Sequence, residues 1–269
     1  MTAAPEQPAI RVRGLEIGWG ERVLMTGVDF DVARGDVFVI LGGSGCGKSS
    51  LLRHLIGLER QRAGTIEILG RPAIEAEGGA AGEEAAPSFG VLFQSGALFG
   101  SMTLHENVGL PLRTWTRLDA DAVDVVVRSK LALVGLDGFE NHLPSEISGG
   151  MKKRAGIARA LALDPPLLFL DEPSAGLDPV SAVELDDLII TLSKSLGTTV
   201  VVVTHELASI FKIGRSCIML DKTARGVIAR GDPRVLRDTS ADVRVRSFFL
   251  RESPQAADGA DAGGRKGAA

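Results

Sequence analysis

Apolar residues in this chain fall into short continuous runs that alternate with longer stretches of helical spacing. Val37-Phe38-Val39-Ile40-Leu41, Val91-Leu92-Phe93, Leu167 to Leu170, Thr199 to Val203 and Cys217 to Leu220 read as strands, and the alternation predicts an α/β domain. Earlier strands are predicted at Ile10 to Ile17 and Val28 to Val32, with Arg34-Gly35-Asp36 as a turn. Gly64 to Gly70 reads as another strand ending in a turn. From about residue 100 to 160 the pattern is helical. Val123, Val126, Val127, Leu131 and Val134 form an apolar stripe closed by Gly135, which predicts a packed helix face. Asp178-Pro179 opens a long helix expected to run to about Ser195. Residues 75–87 are rich in Ala, Gly and Glu and are expected to form a flexible surface insertion with no part in the chemistry. The stretch from Ser253 to Ala269 lacks periodicity and is expected to be disordered.

One junction in this pattern carries chemistry. The strand 37–41 runs into Gly42-Gly43-Ser44-Gly45-Cys46-Gly47-Lys48-Ser49, and Ser50 to Ile56 then reads as a helix. A strand, a glycine-rich turn ending in Lys-Ser and a helix together make a phosphate cradle. The glycines let backbone N–H groups converge on one point, and the helix N-terminus adds about half a positive charge there. Gly42 to Ser50 are therefore the expected contacts of a nucleoside triphosphate, with Lys48 reaching the outer phosphates and the Ser49 hydroxyl placed to ligate Mg²⁺.

Composition narrows the setting. A chain of 269 residues can bury a core for one large domain, alone or with a subdomain. The net charge of −4 gives no global attraction to nucleic acid or anionic lipid. The two cysteines, Cys46 and Cys217, have no metal-ligand spacing and fit a reducing cytoplasm. Met1 to Gln7 lacks a charged start followed by an apolar core, so no signal peptide is expected. No apolar run approaches the roughly 18 to 20 residues that cross a bilayer, so any membrane role is expected to pass through a partner.

Two further elements complete a site. In Leu167-Leu168-Phe169-Leu170-Asp171-Glu172 an apolar strand delivers two carboxylates at its C-terminal end, where open α/β sheets place ligands. Asp171 suits the Mg²⁺ site, and Glu172 suits a general base that polarises the attacking water. Ser148-Gly149-Gly150 opens a helix, which makes a second anion-facing N-terminus. One domain has little use for two such helix starts around one nucleotide. A head-to-tail dimer does, with each nucleotide held between the loop of one copy and the Ser-Gly-Gly helix of the other. The basic run Lys152-Lys153-Arg154 is too short to argue for nucleic acid and reads as a solvated helix face.

Taken together, these motifs resemble the ATP-binding cassette family over roughly residues 8 to 240. The resemblance implies a P-loop ATPase core with an N-terminal antiparallel β subdomain and an inserted α-helical signature subdomain. It implies an ATPase domain at 8–245, with the helical part at about 100–160, and a C-terminal extension at 246–269. Gly42 to Ser49 is similar to the Walker A loop, and Asp171 and Glu172 to Walker B and its catalytic glutamate. Gln94 is similar to the Q-loop glutamine that touches Mg²⁺ and the lytic water. Ser148-Gly149-Gly150 resembles the signature sequence, although Met151 stands where glutamine is usual. Asp178 lies in a segment similar to the D-loop, which crosses the dimer interface. His205 resembles the switch histidine at the γ-phosphate. The chain has no tyrosine to stack on adenine, and Trp19 sits at about that place.

Phe93-Gln94-Ser95-Gly96-Ala97-Leu98-Phe99, Ser145 to Met151 and Ala241 to Leu250 also resemble the ATPases of Mla/Mce-type phospholipid transporters. That resemblance implies a peripheral protein on the cytoplasmic face of the inner membrane, working as a homodimer with an Mla-type permease and an Mce-type substrate-binding protein. A small regulatory subunit is a further partner it leaves open. Residues 97–99 are expected at the groove that receives the permease, with Leu98 as its test position; plain core packing is the other reading of these apolar residues. Two other assignments stay open at this point. One is a cassette ATPase serving a different transported substrate. The other is a relative acting on nucleic acid or ribosomes, against which stand the absence of long heptad helices and the presence of one cassette rather than two.

Overall fold

The computed structural model describes residues 7–73 and 86–251. Residues 75–85 of the expected insertion, and the tail from 253 onward, lie outside the described residues. Strands β1 (Ile10–Trp19) and β2 (Arg22–Val32) form the first hairpin, followed by β3 (Val37–Gly42), helix α1 (Lys48–Leu55), β4 (Ala63–Ile68), β5 (Arg71–Pro72) and β6 (Phe89–Leu92). Helices α2 (Leu104–Trp115), α3 (Ala120–Leu133) and α4 (Gly149–Ala160) come next, then β7 (Leu167–Asp171), α5 (Pro179–Leu196), β8 (Thr199–Val203) and α6 (Leu207–Ile213). The chain continues through β9 (Ser216–Asp221), β10 (Gly226–Gly231), α7 (Pro233–Thr239) and α8 (Val243–Leu250).

Two sheets result. A four-stranded antiparallel sheet has the order β2-β1-β4-β5, and a six-stranded sheet has the order β10-β9-β3-β8-β7-β6. In the larger sheet all neighbours are parallel except the edge strand β10. Every residue of β3, β7 and β8 is buried, which is why these segments read as unbroken apolar runs. The order β3-β8-β7 has a consequence for function. Val203 pairs with Ile40 on one side and Asp171 on the other, so the chain leaves all three strands at one edge. The phosphate loop, the two carboxylates and His205 are thereby neighbours.

The β1–β2 hairpin is longer than the pattern predicts. Trp19 pairs with Arg22 across a turn in which Gly20 has φ 52°. Polar Arg22 and the Thr26-Gly27 kink break the apolar pattern, which hides the first half of β2 in the sequence. The helical stripe forms as expected: Val123, Val127, Leu131 and Val134 are buried, and Val126 packs against the same core. That core joins α2 to α5 to one face of the large sheet. A second core lies between the two sheets around Phe30, Phe38, Leu51 and Phe169. Phe30 stacks on Phe38 with ring centroids 5.5 Å apart. A third core seats α8, with Val245 and Phe249 against Val39, Leu41 and Met219. The expected domain boundary at 245 thus falls inside a helix whose last turn is part of the packed core.

Candidate nucleotide site

The phosphate loop owes its shape to glycine at two positions. Gly42 ends β3 with φ 145°, and a Cβ there would stand 2.4 Å from the Leu220 carbonyl oxygen. Gly47 has φ 99°, and a Cβ would stand 2.3 Å from Met25 Cε. Between them, Gly43 and Gly45 have nothing within 4 Å of an added Cβ, so the loop backbone faces open space. Helix α1 starts at Lys48 with no side-chain cap and no acidic residue in its first turn. Its first N–H groups are free for an anion. Lys48 Nζ donates to the carbonyls of Gly42 at 2.9 Å and Gly43 at 3.1 Å, which uses two of its three protons and keeps the ammonium over the loop.

A cleft of about 720 Å³ opens over this loop, lined by Trp19, Gly42, Gly43, Ser44, Gly45, Gly47, Lys48, Ser49, Ser50, Gln94, Glu172 and His205. Trp19 lines the cleft and is 48% exposed. Cys46 departs from its loop neighbours: its thiol turns into the core between the sheets, and burial raises its pKa. Only its main chain belongs to the loop, donating to the Gly43 carbonyl at 3.4 Å.

Ser49 Oγ donates to Asp171 Oδ1 at 3.5 Å. The Asp171 carboxyl is pushed above the usual range by burial first and by the Glu172 charge second; Ser49, Arg53 and Lys153 pull it back down. Among the described residues, no group of three or more His, Cys, Asp and Glu side chains could hold a metal alone. One hydroxyl and one carboxylate suit Mg²⁺, which keeps waters and takes substrate phosphates as its remaining ligands.

Glu172 leaves β7 in the left-handed region, φ 46°, with its N–H bonded to the Val203 carbonyl at 2.8 Å. For a residue with a Cβ this conformation costs on the order of 1 to 3 kcal/mol, and such strain concentrates at functional sites. The side chain is buried yet lines the cleft. His205 Nδ1 lies 2.8 Å from Oε1, the geometry of a ring N–H donating to a carboxylate, while Oε2 is buried with no partner. An unpaired buried carboxylate oxygen is costly unless something in the cleft donates to it.

The remaining expected residues lie elsewhere within one chain. Ser148 caps α4, accepting from the Met151 N–H at 3.2 Å. Gly149 and Gly150 pack toward Leu177 and Ser181. Asp178 Oδ1 caps α5, accepting from Val180 at 3.1 Å and Ser181 at 3.0 Å. None of the four lines the cleft. Residues to which the motifs assign no part in nucleotide binding also line it: Arg22, Leu24, Leu207, Phe248 and Arg251. The strongest omission is Lys153. Its ammonium is buried and bonds the carbonyls of Gln94 and Glu172, so the basic run 152–154 is not a uniformly solvated face.

Known proteins resemble this chain over most of its length. The ABC transporter family model matches residues 25–175. The chain is 46% identical over 247 residues to the probable ribonucleotide transport ATP-binding protein mkl of Mycobacterium leprae, covering 91% of this chain and 70% of that one. It is 38% identical over 241 residues to the intermembrane phospholipid transport system ATP-binding protein MlaF of Escherichia coli K12, covering 89% and 88%. The dimeric post-hydrolysis structure of the ATP-binding cassette MJ0796 bound to ADP and Pi matches with a TM-score of 0.70 at 26% identity, covering 83% of this chain and 98% of that one. With a strained glutamate beside a glycine-built phosphate loop and this kinship, the chain belongs to the ABC transporter family as an ATP-binding, ATP-hydrolysing subunit.

Proposed function

We propose that ATP hydrolysis by this chain drives movement of phospholipid between bacterial membranes. The observation that carries the reading is the near end-to-end match to MlaF, in which 241 aligned residues span 88% of that protein. The higher identity to the mkl relatives favours a second reading, ribonucleotide transport, although 70% of the Mycobacterium leprae protein is covered there. Purification of the chain from its native membrane, with identification of co-purifying subunits and lipids, separates the two. A permease of the Mla type, an Mce-type protein and bound phospholipid are expected. ATP turnover stimulated by ribonucleotide, with no lipid retained, overturns the lipid reading, and a soluble nucleic-acid complex overturns transport.

In this reading two copies meet head to tail, and the 148–150 helix start of one closes over the phosphate loop of the other. Those residues stand outside the cleft of their own chain, which supports a site completed by a second copy. Lys48 and the α1 N-terminus hold the outer phosphates, Glu172 takes the proton of the attacking water, and His205 fixes the carboxylate that receives it. Ser49, Gln94 and Asp171 are the residues that would hold Mg²⁺, which would supply positive charge to offset that of the phosphates. Trp19 stacks on the base.

Among the described residues no helix is long and apolar enough to cross a membrane. Docking to a permease is assigned to a groove of about 460 Å³ lined by Phe93, Ala97, Phe99, Leu110, Pro111, Trp115 and Arg159, among others. Leu98, the expected test position, instead packs into the helical core, whereas Phe99 is 51% exposed. Phe99→Asp is therefore the useful variant. It is expected to abolish co-purification with the membrane subunit, because a central aromatic at an interface commonly carries about 2 to 4 kcal/mol. Its thermal midpoint should stay near that of the wild type. Wild-type co-purification would place the permease elsewhere.

A further inference from the structure

Helix α4 lies across the Q-loop segment with one face, formed by Lys153, Gly156 and Arg159 at i, i+3 and i+6. Gly156 sets the close approach: a Cβ there would stand 2.5 Å from Leu92 Cδ1 and 3.2 Å from the Gly96 carbonyl oxygen. Arg159 donates to the carbonyls of Ala97 at 2.8 Å and Gly96 at 3.2 Å, holding a turn in which Ala97 has φ 48°. Lys153 is 6% exposed. Its Nζ donates to the Gln94 carbonyl and, at 3.1 Å, to the Glu172 carbonyl. A lysine ammonium is almost never buried without partners, and hydrogen bonds from a charged donor are roughly twice as strong as neutral ones. This one spans the two segments that carry Gln94 and Glu172 into the cleft.

The Glu172 bond has a particular geometric effect. The residue sits in a strained left-handed conformation, and its carbonyl belongs to the peptide plane on the C-terminal side of the strained Cα. The Val203 carbonyl holds the peptide plane on the other side through the Glu172 N–H, so the two bonds together fix the direction of the Cα–Cβ bond. The same helix is capped by Ser148, five residues before Lys153, which is about 7.5 Å away at 1.5 Å per residue. A shift of the helix start is thereby passed to the peptide that aims the carboxylate.

We propose that Lys153 is a positioning residue: its ammonium clamps the Gln94 and Glu172 carbonyls, so the aim of the Glu172 carboxylate depends on the seating of helix α4. This rests on the reading of Glu172 as the general base. It gives the helix that reaches toward the second copy a direct hold on the catalytic carboxylate of its own chain.

The test compares Lys153→Met and Lys153→Arg in the full chain by steady-state ATP turnover, binding of a fluorescent ATP analogue and hydrogen exchange over 93–98 and 172–177. Lys153→Met is expected to lower kcat by about 10- to 100-fold, the scale of an ångström-level misplacement of a catalytic group. KM and analogue affinity should stay within about threefold, and exchange should rise in those two segments. Lys153→Arg keeps the charge and the donors and is expected to recover kcat to within about threefold of wild type. Unchanged kcat in Lys153→Met overturns the clamp, as does a parallel loss of affinity, or wild-type exchange in both segments. Should the methionine variant fail to fold, the arginine variant decides. Exchange and kcat close to wild type support the clamp, and a tenfold kcat loss at wild-type exchange overturns it. If Glu172→Gln turned over at the wild-type rate, the base assignment would fall, while exchange over 172–177 would still report the clamp.

Discussion

Glu172→Gln is expected to lower kcat by about 10²- to 10⁴-fold, the contribution typical of a general base, while ATP affinity stays close to wild type. The swap preserves shape. A glutamine oxygen can still accept from His205 Nδ1, which lies 2.8 Å from Oε1 in the native residue. What changes is the other end of the group. Glu172 Oε2 is buried without a partner, and in glutamine that position becomes an NH₂ that cannot take a proton from water. The phosphate loop is untouched, so nucleotide still binds. With binding intact and chemistry stopped, a two-copy complex should accumulate when ATP is added and should be visible by size-exclusion chromatography. Turnover at the wild-type rate would remove Glu172 from the base role, and loss of ATP binding would show that its carboxylate serves the fold or the loop instead.

How far the sequence foretells this site depends on how each part is built. The parallel strands are legible because β3, β7 and β8 are buried on both faces and must be apolar throughout. The phosphate loop is legible because Gly42 and Gly47 adopt conformations and approaches that a side chain would block. Strand order is not written locally. β8 lies between β3 and β7, and that placement brings His205 to Glu172 across a sequence separation of 33 residues. Lys153 was hidden for a geometric reason. Consecutive helical residues point about 100° apart, so three basic residues in a row sweep roughly 200° and cannot all face water on a packed helix. Arg154 stays partly exposed and pairs with Glu184 at 2.9 Å, while Lys153 takes the inward direction. Leu98 turns toward the helical core while Ala97 and Phe99 stay at the groove, as the chain turns at Ala97 in the left-handed region, a reversal that hydropathy does not reveal.

Lys48→Ala is expected to fail at the step that Glu172→Gln preserves. A charge-assisted hydrogen bond contributes roughly 1.5 to 3 kcal/mol, so loss of one to a phosphate oxygen corresponds to a 10- to 150-fold weaker affinity for ATP. The fold itself should not suffer. The bonds Lys48 Nζ makes are to the Gly42 and Gly43 carbonyls, at the rim of an open cleft where water can replace it. Without nucleotide, the thermal midpoint of Lys48→Ala should therefore match that of the wild type. Ligand linkage makes the difference readable: a nucleotide that binds the native state stabilises it by RT ln(1 + [L]/Kd). At a fixed ATP concentration that raises the wild-type midpoint, the shift should shrink or vanish in Lys48→Ala and persist in Glu172→Gln. An ATP-induced shift of full size in Lys48→Ala would move the triphosphate off the 42–49 loop. Opposite behaviour of the two variants locates binding at the loop and chemistry at the carboxylate. That division is what a strand edge presenting a helix N-terminus at β3 and a strained glutamate at β7 is built to provide.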